Sequence, residues 1–127
     1  MVETIGYVLT SDFIEGICVR VTTPSAMSSL RIGQLIVIES TSQELYYAQI
    51  TNLKTSWYSD LQDQPLLHTV PTRPDLMQMF VENIISVKAV KAYHGGELLA
   101  VRSIPLPGLK VRFASEEDIA LIYGPRD

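Results

Sequence analysis

Gly16-Ile17-Cys18-Val19-Arg20-Val21-Thr22 places apolar and polar side chains with a period of two. Ile17, Val19 and Val21 fall on one side of an extended chain and Arg20 and Thr22 on the other, as a strand with one buried face requires. Burial of the three branched aliphatics sets the register, because a slip by one residue would turn all of them to water. Upstream, Thr4-Ile5-Gly6-Tyr7-Val8-Leu9-Thr10 is a second β-rich run. The linking Ser11-Asp12-Phe13-Ile14-Glu15 is short enough for a hairpin, so the two strands are expected to pair.

Downstream, the polar stretch Thr23 to Leu30 forms turns, and Arg31-Ile32-Gly33-Gln34 leads into Leu35-Ile36-Val37-Ile38-Glu39. That unbroken apolar run predicts a strand covered on both faces. Leu45 to Leu53, with Ala48 and Ile50 alternating with Gln49 and Thr51, is expected to return as its antiparallel neighbour. Residues 55–73 hold Trp57, Tyr58, Pro65 and Pro71 without sustained periodicity and read as a long loop. Pro74 then opens a short helix over 74–82, with Leu76, Met79 and Phe80 at i, i+3, i+4 spacing. Ile84 to Tyr93 and Glu97 to Arg102 flank His94-Gly95-Gly96, a strong hairpin signal because both glycines accept positive φ. Lys110 to Ala114 is a last short strand. Ser115-Glu116-Glu117-Asp118 supplies an N-cap hydroxyl and three carboxylates for a terminal helix that Gly124 and Pro125 stop. A helix this short is marginal alone, so Ile119, Leu121, Ile122 and Tyr123 are expected to pack on the sheet. The fold class is therefore all-β: a small closed or nearly closed antiparallel barrel of six to seven strands, with a short helix before the Gly-Gly hairpin and a short C-terminal helix. Residues 1–114 form the barrel and 115–127 the exit helix and the start of a linker.

The 127 residues are 46% hydrophobic and 19% charged, which suits one packed domain and excludes a disordered chain. A net charge of −4, with the basic residues scattered, speaks against a general polyphosphate-binding surface. The single cysteine, Cys18, cannot form an internal disulfide, and the opening residues lack a secretory pattern. No apolar stretch approaches the roughly 20 residues of a membrane span. A cytoplasmic protein without membrane contact is expected.

No Gly-x-x-x-x-Gly-Lys-Ser/Thr loop is present, so the chain is not expected to hold a nucleotide, and no catalytic, cofactor or metal residues are assigned. His68 and His94, with Cys18, fall short of a usual zinc ligand set and read as turn histidines. Cys18 lies between Ile17 and Val19, in a strand and not at a helix start, and reads as a packing residue. Asp60, Asp63 and His68 could be imagined as a hydrolytic site, but no motif supports them. Tyr46, Tyr47, Trp57 and Tyr58 would suit base stacking in a barrel that binds single-stranded nucleic acid, the alternative function. Glu44, Asp60 and Asp63 nearby oppose a phosphate backbone, and Lys54 is the only close base. Core packing for one tyrosine of the Tyr46-Tyr47 pair and a protein contact for Trp57-Tyr58 fit better.

Ile5-Gly6-Tyr7-Val8, Glu15-Gly16-Ile17-Cys18-Val19-Arg20-Val21, Arg31 to Glu39 and Tyr47 to Leu53, in this order and spacing, resemble the HAS-barrel. That is the N-terminal domain of HerA-type DNA-translocating ATPases, similar also to the barrel that opens ATP synthase ring subunits. Val111 to Gly124 resembles the segment leading from such a barrel into the ATPase core. The resemblance implies a non-catalytic module for ring assembly and nuclease docking in DNA end processing. It implies a hexameric parent that would use ATP and Mg and grip DNA through a core beyond Asp127. Phe13, at a hairpin tip, and Trp57-Tyr58, in the long loop, are the candidate partner-binding residues.

Overall fold

A computed structural model of the chain describes residues 3–41, 44–57 and 81–124. The strands are β1 (Thr4–Asp12), β2 (Gly16–Val21), β3 (Leu35–Thr41), β4 (Glu44–Trp57), β5 (Val81–His94), β6 (Glu97–Leu99) and β7 (Lys110–Phe113). A single 3-10 turn (Pro24–Ser28) follows β2, and helix α1 (Glu116–Tyr123) follows β7. The sheet order is β2-β1-β7-β3-β4-β5-β6, and a further pairing of β2 with β5 joins the sheet to itself. All pairings are antiparallel. Six strands thus close a barrel and β6 is added outside the ring, as the all-β reading expects.

Closure depends on β2. Ile17, Val19 and Val21 are buried while Cys18 and Arg20 are only partly covered, and β2 pairs with β1 on one edge and with Ile84 to Val87 of β5 on the other. The barrel interior is filled by Ile5, Val8, Val19, Ile36, Ile38, Ile50, Ile85, Val87 and Val111, all almost fully buried. Gly6 permits the tight crossing of β1 and β2, since a Cβ there would run into the Arg20 carbonyl oxygen. Register shifts in β1, at Tyr47/Ala48 and at Ile50/Asn52 bend the strands around the ring.

β3 is buried on both faces. Ile36 and Ile38 enter the barrel core, whereas Leu35 and Val37 join Tyr47 in a second cluster on the outer wall. Ile119 and Ile122 of α1 cover that cluster. The cover is narrower than the sequence suggests: Leu121 and Tyr123 are 44% and 56% exposed. Tyr123 nevertheless reaches Gln49 of β4 through its hydroxyl.

Three expected boundaries move. β4 runs to Trp57, so residues 55–57 of the expected loop are strand, and the rest of that loop lies outside the described residues. Lys54, Thr55 and Ser56 are polar in sequence and exposed or half-buried in the fold, so no apolar alternation marks this end of the strand. β5 starts at Val81, so the helix expected over 74–82 does not reach Val81 and Glu82, which pair with Trp57 and Ser56. The rest of that helix lies outside the described residues. β6 ends at Leu99, and the expected strand does not continue through Ala100 to Arg102.

Candidate interaction surface

The β1–β2 hairpin reaches its tip at Phe13 and Ile14. The Asp12 carboxylate caps the turn, with Oδ1 accepting from the Ile14 and Glu15 amides at 2.8 Å each. These two bonds hold Asp12 below its ordinary pKa. Gly16 closes the turn at φ 101° against the Val87 carbonyl, where any other residue would be strained. The turn is therefore fixed while its side chains face water: Phe13 is 65% exposed and Ile14 90%. Phe13 also borders a shallow cleft of about 90 Å³ with Lys88, Ala89, Val101, Ile104 and Pro105. Ile104 is itself exposed, so Phe13 and Ile104 flank the cleft with apolar surface, and Ile14 extends it at the hairpin tip.

The other two candidates stand differently. Trp57 ends β4 opposite Val81, and Tyr58 lies outside the described residues. Phe13 borders the part of β5 at Lys88 and Ala89, which leaves roughly 25 Å of strand between it and the Trp57 end. His68, Asp60 and Asp63 also lie outside the described residues. Tyr47 is taken up by packing, as expected for one member of the Tyr46-Tyr47 pair, and Tyr46 bonds Ser103 Oγ at 2.8 Å.

A second cleft, of about 260 Å³, opens where β4, β5 and β6 meet, between Glu44, Tyr46, His94, Leu99, Arg102 and Ser103. His94 stands in the strand and its Nδ1 lies 2.9 Å from Glu44 Oε1. Gly95 and Gly96, at φ 59° and 85°, make the tight turn after it. Among the described residues, no three His, Cys, Asp or Glu side chains converge as metal ligands.

The strongest polar cluster is on the outer wall; the expected Ser115 cap is part of it, and Tyr47 and Arg112 are the members that sequence reading missed. Asp118 closes a capping box with Ser115: Asp118 N donates to Ser115 Oγ at 3.2 Å, and Ser115 N donates back to Asp118 Oδ2 at 2.9 Å. Arg112 Nη1 donates to the same oxygen at 2.8 Å, and Tyr47 Oη donates to Oδ1 at 3.0 Å. Arg112 Nε also lies 3.5 Å from Glu39 Oε2. Burial alone would raise Asp118, but Arg112, Ser115 and Tyr47 outweigh it and hold the carboxyl below its usual range. Burial first, then Asp118, pushes the Tyr47 phenol well above its usual range. Gln49 Nε2 donates to Tyr123 Oη at 2.6 Å and fixes the last turn. The network clasps α1 to β3, β4 and β7; with its donors and acceptors mutually satisfied, it is a structural lock.

A scan of protein-family models gave no match to this sequence, and a search of curated proteins gave none either.

Proposed function

We propose that this chain is a non-catalytic barrel module for assembly and partner docking, as in the N-terminal barrels of HerA-like hexameric DNA-translocating ATPases. One observation carries the reading: a backbone-fixed hairpin tip that holds Phe13 and Ile14 in water beside Ile104. A fixed apolar tip loses little freedom on docking, which favours contact with another protein surface. The clasped α1 adds a rigid exit from the barrel, suited to passing the barrel's orientation to a following ATP-dependent core. Ring assembly, nuclease docking and the link to DNA end processing rest on the resemblance.

The test is sedimentation equilibrium of the chain beside Phe13→Asp/Ile14→Asp, with thermal unfolding of both. Association of the parent chain that the double variant weakens at least about tenfold, at unchanged Tm, supports the role. A parent chain that stays monomeric up to several hundred micromolar, or variants that associate equally, would overturn tip-mediated assembly.

A further inference from the structure

β4 is unevenly partnered. One edge pairs with β5 along its whole length, from Glu44 opposite His94 to Trp57 opposite Val81. The other pairs with β3 only as far as Gln49, and backbone bonds from Gly33 and to Gln34 extend this to Ile50. From Thr51 to Trp57, no strand pairs with that edge among the described residues. The open stretch is long enough for a docked strand of roughly 20 Å, a usual strand length. It is also held ready from behind: Thr51 Oγ1 donates to the Ser86 carbonyl at 3.2 Å, Thr55 Oγ1 to Asn83 Oδ1 at 3.1 Å, and Leu53 packs on the barrel core.

The sequence of this edge, Thr51-Asn52-Leu53-Lys54-Thr55-Ser56-Trp57, has no proline and a single charge. Lys54 is exposed, and no carboxylate pairs with it among the described residues. A second copy pairing antiparallel along the same edge would bring Lys54 towards its twin, and like charges across a sheet are destabilising. An acidic strand has the opposite balance. We propose that the edge over residues 51–57 receives, by strand addition, an extended segment of a partner protein carrying an acidic side chain opposite Lys54. This site is separate from the Phe13 tip and does not depend on the docking role given to it.

Amide hydrogen exchange of the isotope-labelled full chain tests the proposal with two capped heptapeptides, one alternating Val with Glu and one alternating Val with Lys. The Val/Glu peptide is expected to slow exchange of edge amides at 51–57 by about fivefold or more, while the Val/Lys peptide has far less effect. Lys54→Glu should reverse the preference and Lys54→Gln should remove it, both at unchanged Tm because the side chain is exposed. Protection by neither peptide overturns the site. Equal protection by both overturns the acidic partner. Protection without peptide that grows with protein concentration assigns the edge to a second copy and overturns the proposal equally.

Discussion

Tyr47, Arg112 and Ser115 all place donors on one carboxylate, so the charge on Asp118 is the residue-scale feature on which α1 depends. Asp118→Asn removes the charge while Arg112, its side chain 14% exposed, stays in place with Glu39 and the Phe113 carbonyl as its remaining partners among the described residues; the loss should be about 2–3 kcal/mol by urea unfolding. Tyr47→Phe keeps the packing and loses one hydrogen bond to a charged group, about 1–2 kcal/mol. Because the folded-state pKa of Asp118 is depressed, its contribution is complete at pH values above the unfolded value of about 3.9 and disappears as pH falls through the lower folded value. The urea midpoint should therefore hold from neutrality to about pH 5 and drop in acid, with a flatter acid limb in Asp118→Asn. Part of this site is legible in the chain: Ser115 followed three residues later by an acid marks the cap. Tyr47 and Arg112 are not, because they meet Asp118 only once β4 and β7 have paired with opposite edges of β3.

At the scale of elements, α1 and the outer face of β3 are two halves of one packing unit. The unbroken Leu35-Ile36-Val37-Ile38 run announces a strand covered twice, but nothing local names the cover. Ser115→Ala should loosen the helix start and cost about 1 kcal/mol, read by urea unfolding and by faster exchange of the Asp118 amide. Replacing both Ile119 and Ile122 by Ser should expose Leu35 and Val37, raise binding of an apolar dye and promote aggregation, while the interior cluster stays packed. The β5–β6 turn was readable for the opposite reason: Gly95-Gly96 is local chemistry, complete within two residues. The end of β4 was not, since Lys54, Thr55 and Ser56 carry no apolar alternation and are strand only through their pairing with β5.

For the whole molecule, closure is the long-range event. Ile17 to Arg20 must find Ile84 to Val87 across the intervening chain, and each of the other four ring strands sits between two partners that this seam closes. Val87→Ala should cost about 1–3 kcal/mol, and amides along the seam should exchange only through global unfolding, at the free energy measured by urea. Short strands joined by short turns made a barrel readable from the sequence. The order in which they close, with β7 between β1 and β3, was not, because it is decided by which edges remain free after the local hairpins have formed.

The clasp at Asp118 also sets how the domain would carry mechanical load. Tension applied at Gly124 reaches the Gln49–Tyr123 bond and the helix before it reaches β7, whose ladders to β1 and β3 would then be strained along their length. The five residues past the clasp, Ile119 to Tyr123, can therefore unwind and lengthen by about 10 Å while Asp118 holds the helix start on the closed barrel, so the domain yields in two stages, first compliant and then stiff.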